Sequence, residues 1–304
     1  MSDDAAEHTV LVAIPTRGRR NLRPALDELA RQAAGTDARI EVVVLDNSGT
    51  ADPSVAVVAA EYGHSVHRVI RPGLAQVRNA AIHLLRPCHD ALIFLDDDER
   101  PEASWLKTML SAHARQAATV VIGPVWIEVP ETSPAWLHGG EFWRSRLNLP
   151  DGLYEGETYS GNTLIDADFL RRTGLRFDER FDQTGGEDTD FFRHLRAAGG
   201  VVVWSQDAAV IERVDQERLT VRGVMHRSFH AANLSWRLDR PDLTRSNQAW
   251  NLVRRSGRLP RGAGRLTIGL LRRRTDRTVQ GLCDCAAVAG TWTSVLGLRT
   301  RYYR

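Results

Sequence analysis

The chain has 304 residues, 42% of them apolar and 26% charged, with a formal net charge of +2. That suits one large α/β domain with an appendage, or two domains, of ordinary globular composition. Three cysteines (Cys88, Cys283, Cys285) make neither a disulfide framework nor a zinc spacing, so a reducing compartment is expected, and 7% aromatic content without a stacking motif argues against nucleic acid as a partner.

The acidic, polar start from Met1 to His8 predicts no secretory signal. Val10 to Ile14 reads as a strand ended by Pro15, and Leu22, Ala25, Leu26, Leu29 and Ala30 then recur at helical spacing. Glu41 to Leu45 is the next strand, followed by the turn signal Asp46-Asn47-Ser48-Gly49. Val55 to Tyr62 reads as helix, His67 to Ile70 as strand, Leu74 to Leu85 as helix and Ala91 to Leu95 as a buried strand of a parallel sheet. Alternation of this kind predicts right-handed βαβ units and a Rossmann-like sheet.

The second half is more mixed. Val120 to Ile127 is expected as one strand joining that sheet, and Pro130 to Pro150 as a long loop. Asn162 to Asp166 reads as strand, Ala167 to Thr173 and Thr189 to Ala198 as helices, Val201 to Trp204 as the final strand, and Arg218 to Leu238 as helix.

Asp96, Asp97, Asp98 and Glu99 follow directly on the Ala91–Leu95 run. Like charges crowded at a strand end gain nothing for folding, and ligands of open α/β sheets bind at the carboxyl ends of strands. Hard carboxylate oxygens suit Mg²⁺ or Mn²⁺, which commonly also hold a substrate phosphate. The alternative is a solvated turn before a helix opened by Pro101. The other two βα junctions end in Thr16-Arg17-Gly18-Arg19 and Asp46-Asn47. Asp46 is placed to accept hydrogen bonds from a base or ribose or simply to make a turn; Arg19 and Arg78 are placed to face a phosphate, or, for Arg78, to line a helix surface. Gly185-Gly186-Glu187-Asp188-Thr189-Asp190 precedes a helix, where capping explains one acid but not three. A carboxylate there can serve as a general base for an incoming hydroxyl.

These elements occur in an order that resembles the inverting GT-A glycosyltransferases of family 2, in particular the bacterial exopolysaccharide subgroup. The stretches that carry the resemblance are Ile14-Pro15-Thr16-Arg17-Gly18-Arg19, Val43-Val44-Leu45-Asp46-Asn47, Gly73 to Ala80, the aspartate run with Pro101 and Trp105-Leu106, Gly161-Asn162, and Gly186-Glu187-Asp188. They span roughly Thr9 to Leu238. The resemblance implies a GT-A fold, a Rossmann-like nucleotide-binding sheet flanked by helices, over residues 1–240. Within it, about 9–125 would serve the nucleotide-sugar and about 126–240 the acceptor, with 241–304 as a basic helical extension. It implies that Pro15, Thr16, Arg19, Asp46 and Arg78 line the donor site, that Asp96 and Asp97 support ribose and diphosphate, and that Asp98 binds the metal. Asp188 would be the base and Glu187 would orient it or bind acceptor. Where relatives carry Ala-x-x-His, this chain has Ala209-Val210-Ile211-Glu212, which puts Glu212 in place of the histidine as a metal ligand or leaves it paired with an arginine. The implied donor is a nucleoside-diphosphate sugar, most simply a UDP-sugar, and the acceptor a saccharide or lipid-linked hydroxyl.

Other residues carry weaker signals. His226 and His230 stand at i, i+4, where a surface or packing role is the simpler reading of the pair. Arg227 is a candidate for facing the diphosphate, and Trp126, Trp136 and Trp143 for stacking on sugar or for aromatic core packing. From Arg254 onward stand 12 arginines and two aspartates, net +10, leaving the rest at −8. Leu266–Leu271 and Val279–Leu298 are apolar but interrupted, which predicts a basic helix lying on an anionic bilayer, or a hairpin packed on the domain, rather than a membrane span. The expected location is cytoplasmic, and peripheral on the inner face of the membrane if the basic helix lies on a bilayer. Among rivals, a haloacid-dehalogenase-type phosphatase wants Thr or Val where Arg100 stands, and the arginine signature of a nucleotidylyltransferase is missing. A catalytically inactive GT-A scaffold is the non-enzymatic alternative.

Overall fold

The computed structural model describes residues 8–18, 21–50, 52–139, 142 and 148–298. In chain order the elements are β1 (Thr9–Thr16), α1 (Arg23–Ala33), β2 (Arg39–Asp46), α2 (Pro53–Glu61), β3 (Ser65–Arg68), α3 (Leu74–His83), β4 (Ala91–Phe94), β5 (Glu99–Pro101) and α4 (Trp105–Gln116). Then come β6 (Val120–Ile122), β7 (Val125–Glu128), α5 (Ala135–Gly139), β8 (Gly152–Leu153), β9 (Thr163–Asp166), α6 (Ala167–Thr173), α7 (Glu187–Ala197), β10 (Val202–Trp204) and β11 (Val210–Arg213). Four helices follow: α8 (Val221–Asp239), α9 (Arg245–Ser256), α10 (Arg258–Leu271) and α11 (Thr275–Val295).

The main sheet orders its strands β3-β2-β1-β4-β9-β6-β10-β8. β3, β2, β1 and β4 run parallel, as the βαβ alternation predicts. β9 runs antiparallel to both β4 and β6, so the sheet is mixed and β4 is parallel to only one neighbour. Side chains of β1 alternate between two cores. Val10, Val12 and Ile14 pack with Leu26, Leu29, Trp105 and Met109, whereas Leu11 and Ala13 pack with Val77, Phe169 and Phe191. Burial on both faces is why these strands read as continuous apolar runs rather than as alternating ones.

Three expectations are corrected. Val120–Ile127 is not one strand: the chain breaks at Gly123-Pro124, leaving β6 in the main sheet and β7 in a small sheet ordered β5-β11-β7. Proline cannot donate to a ladder, which forces the break. β10 is not the last strand, since β11 follows and pairs with β5. Pro101 closes β5 rather than opening a helix, and α4 starts at Trp105.

The chain separates into two compact units. One runs to Trp126 and takes in the later segments up to Asp182 and Glu187–Glu212; the other holds the segment from Ile127, Gln183–Gly186 and everything from Arg213 onward. In the second unit Leu137, Val214, Leu219, Val224 and Val279 form a core, with Trp136 edge-on to Phe142 at 5.3 Å. α8 and α11 are tied by Asn233, whose Nδ2 donates to the carbonyls of Gly290 and Leu298, each at 3.2 Å. His226 and His230 hydrogen-bond each other through their Nε2 atoms at 2.8 Å, and burial, then the neighbouring ring, lowers His230 to about 4. Trp143 lies outside the described residues. Among the described residues no helix is long and apolar enough to cross a membrane.

Candidate active site

The site assembles in the first unit, where β1, β2 and β4 end side by side. Register places Thr16 next to Asp46 across β1–β2 and Pro15 next to Leu45. Thr16 is buried and its Oγ1 donates to Asp97 Oδ2 at 2.6 Å, tying β1 to the aspartate run 81 residues away. Asp46 is also buried, and it does make a turn: Oδ1 accepts from Ser48 N at 2.9 Å and Oδ2 from Asp52 N at 3.2 Å. Each oxygen retains a second lone pair, so turn and ligand roles are compatible. Arg19 lies outside the described residues.

Asn47 locks the end of β2 to the start of α3, donating to Gly73 O at 3.3 Å and accepting from Gly73 N at 2.9 Å. The α3 N-terminus is occupied from within: Asp182 Oδ1 accepts from Ala75 N at 2.8 Å and Gln76 N at 3.2 Å. A carboxylate there complements the helix dipole and anchors the loop that leads toward α7. Neither role was legible in the sequence, because a cap from over one hundred residues away leaves no local spacing.

Arg78 projects from α3 and is buried, although a helix-surface position was one of its readings. Its Nη1 donates to Glu187 Oε1 at 2.6 Å and to Leu74 O at 3.3 Å, and its Nε lies 3.4 Å from Asp188 Oδ1. The guanidinium also sits 5.8 Å from the Phe177 ring centre. Glu187 and Asp188 open α7, and Gly186 before them holds φ at +100°, a conformation that strains any side chain. The Gly-Gly signal is therefore a backbone requirement for presenting the two acids. Glu187 is held deep, at 5% side-chain exposure, whereas Asp188 is at 18%. Burial raises Glu187 to about 7; repulsion from Asp188 adds to this and Arg78 opposes it.

Asp96 and Glu99 fold back on each other: Asp96 N donates to Glu99 Oε2 at 3.0 Å, and Glu99 N donates to Asp96 O at 3.1 Å. β5 and β11 then place Glu212 directly opposite Glu99. Like charges so paired across strands are unfavourable. Burial raises Asp96 to about 6, with Arg78 opposing and Asp97, Asp188 and Glu212 reinforcing. Burial also raises Glu99 well above the usual carboxylate range, with Asp96 and Glu212 adding to it. In the sequence Glu99 is only the last member of the acidic run. Its role emerges from the β5–β11 pairing.

Asn162 is fully buried, accepts from Trp105 Nε1 at 2.6 Å and donates to the carbonyls of Pro124 at 3.1 Å and Ala208 at 2.9 Å. It pins the preceding Gly161 against the acids: a Cβ on Gly161 would stand 2.8 Å from Asp96 Oδ2 and 3.0 Å from Glu99 Oε1. Gly161→Ala is therefore expected to displace both carboxylates and to lower stability by about 1–3 kcal/mol, as overpacking does. A urea titration checks it, and an unchanged midpoint with unchanged ligand binding would show that this approach is not tight.

Asp98 sits partly exposed in the turn after β4, and Glu212 is likewise partly exposed on β11. Among the described residues no group of three or more His, Cys, Asp or Glu side chains forms a metal cage. The donors that are present nevertheless fit a divalent cation. They are hard oxygens with an excess of negative charge, and Mg²⁺ characteristically takes one or two carboxylates and completes its shell from phosphate and water.

A sheet end that gathers Thr16, Asp46, Arg78, the aspartate run, Glu187–Asp188 and Glu212 can accept hydrogen bonds from ligand hydroxyls and hold a cation, which in turn can carry a negatively charged group. The chain is 30% identical over 255 residues to the succinoglycan biosynthesis protein ExoM of Rhizobium meliloti, covering 80% of this chain and 79% of that one. Among solved structures it is similar to Staphylococcus aureus TarS 1-349 in complex with UDP-GlcNAc (TM-score 0.52, 14% identity, 98% of this chain and 93% of that one). It is also similar to GalNAc-T7 with UDP, GalNAc and Mn²⁺ (TM-score 0.53, 15% identity, 77% of this chain and 51% of that one). These two likenesses carry the fold, GT-A with a C-terminal helical region. The description "Glycosyl transferase family 2" matches residues 11–174, the stretch that builds most of the sheet, the aspartate run and Gly161-Asn162. On that match and the kinship over four-fifths of its length, this chain belongs to glycosyl transferase family 2 and is a glycosyltransferase.

Proposed function

We propose that the protein transfers a sugar, with inversion and with divalent-metal assistance, from a nucleoside-diphosphate sugar to a hydroxyl of a saccharide or lipid-linked acceptor during exopolysaccharide synthesis. The observation that carries this reading is the division of labour at the start of α7. Glu187 is pinned to Arg78, while Asp188, the more exposed of the two, borders the same carboxylate cluster. Exopolysaccharide as the product class rests on the likeness to the succinoglycan protein, and UDP as the nucleotide on the UDP complexes of the structural neighbours.

In this reading residues 9–125 contribute most donor contacts, with Pro15, Thr16, Arg19 and Asp46 around the nucleoside and Asp96 and Asp97 beside ribose and diphosphate. Asp98 and Glu212 would hold the Mg²⁺ or Mn²⁺. When bound, such an ion neutralises charge on the departing diphosphate. Asp188 accepts the proton of the acceptor hydroxyl as that oxygen bonds to the anomeric carbon. The bond from anomeric carbon to diphosphate oxygen breaks, and its electron pair leaves with the nucleoside diphosphate. A single displacement inverts the centre. Glu187 orients the base side through Arg78, which keeps the helix start in place.

The test is the thermal shift of the purified protein with UDP, GDP or dTDP, each with and without Mn²⁺. Native-state binding raises apparent stability by roughly 2.7 kcal/mol at ligand one hundred times its Kd. The expected result is a metal-dependent rise with UDP that Asp98→Ala abolishes. A protein indifferent to every nucleotide would overturn the reading and favour the inactive scaffold.

A further inference from the structure

We propose that the outer face of α9 and α10 is a docking surface for an anionic lipid bilayer. The observation is an inverted amphipathic helix. α10 turns Gly262, Leu266 and Gly269 toward α11: Gly281 O and Thr278 lie within close reach of the two glycines, and Leu266 meets Gly281. Arg265 pairs on this side with Asp284 at 2.7 Å. At 3.6 residues per turn the remaining face carries Leu259, Ala263, Thr267, Ile268, Leu270 and Leu271, with no charge among them. Leu270 and Leu271 are 68% and 79% exposed.

Globular helices put such side chains inward, so this face needs a partner. The neighbouring α9 buries none of its residues and exposes Trp250 and Val253 one turn apart. Tryptophan is the side chain best suited to a lipid–water boundary.

Charge identifies the occupant. Arg261 borders the apolar face, and Arg272 and Arg273 follow its end, all exposed. Neither α9 nor α10 contains an acidic residue. The two aspartates of α11 are already neutralised, Asp276 by Arg274 at 2.8 Å and Asp284 by Arg265. An uncharged strip bordered by arginines, with no acid to repel phosphate, matches the depth profile of an interfacial helix on anionic lipid. A second protein would need acids arranged to match, whereas a bilayer supplies negative charge in any register.

This surface is distinct from the donor site, and its test needs no sugar nucleotide. The full chain is sedimented with phosphatidylcholine vesicles, either pure or with about a third of the lipid as phosphatidylglycerol. Binding is expected only with the anionic vesicles and should weaken as salt is raised. Leu270→Ser with Leu271→Ser is expected to weaken it at least about tenfold, by removing buried apolar area. Arg272→Gln with Arg273→Gln should weaken it roughly thirtyfold. All four side chains are exposed, so melting temperatures should match the parent and thereby separate lost docking from lost folding. Equal binding to neutral vesicles, no binding to either, or a serine variant that binds like the parent would overturn the proposal. So would a dimer at sedimentation equilibrium that the serine variant dissolves, without vesicle binding, because the face would then serve a second copy.

Discussion

Replacing Asp188 with asparagine is expected to lower kcat by roughly 10²- to 10⁴-fold, the range a general base contributes. Asparagine keeps the size and a hydrogen-bonding oxygen but cannot take up the acceptor proton. Arg78 stays paired with Glu187 at 2.6 Å, so the start of α7 should hold its place and the donor KM should change little. Stability should change little, because relief of the repulsion from Glu187 and Asp96 is offset by the lost attraction to Arg78 Nε at 3.4 Å. Single-turnover transfer measures the chemical step directly. A kcat close to the parent's would remove Asp188 from the role of base.

The second large effect concerns folding. At pH 8, above the raised value of Glu187, Arg78→Met is expected to destabilise the protein by roughly 3–5 kcal/mol, the cost of breaking one side of a buried ion pair. Two carboxylates would remain beside the vacated position, Glu187 at 5% and Asp188 at 18% side-chain exposure. Adding Glu187→Gln to Arg78→Met should recover part of the loss, since the uncompensated charge is removed. Urea titrations of the two single variants and the double variant measure the coupling. Purely additive losses would mean that the pair contributes nothing as a pair.

The same carboxylate sets a pH dependence. Glu187 is raised from 4.5 to about 7, so the folded state holds its proton where the unfolded chain has released it. Its contribution is fully present below pH 4.5 and is lost as pH rises toward about 7. At 1.36 kcal/mol per pKa unit, that is on the order of 3 kcal/mol across the window. Relative to Glu187→Gln, the parent should therefore lose stability between those two values. Parallel profiles would mean that Glu187 is ionised throughout.

Local pattern was enough for the parallel half of the sheet, because β1, β2 and β4 are buried on both faces and read as unbroken apolar runs ended by polar junctions. The aspartate run and the Glu187–Asp188 pair stood out for the opposite reason: concentrated like charge needs a counter-charge, and Arg78 supplies one for the second cluster. Where Pro124 cut a strand in two, the apolar run alone misled, since hydrophobic continuity does not reveal a change of sheet.

What the sequence determined by itself was the parallel βαβ half of the sheet and the family, and it marked out a candidate set of acids, all of them properties of residues near in the chain. Only the tertiary structure decided partners. It matched Arg78 with Glu187, Thr16 with Asp97, Glu212 with Glu99, and Asp182 with the start of α3, across separations that leave no spacing to read. It also decided which face of α10 is buried, and there hydropathy misdirects, because two glycines permit close helix packing and leave the leucines outside. The physical reason is common to all these cases. Burial and charge pairing are set by what a side chain meets in space, and the chain's own order encodes that only when the neighbours are local.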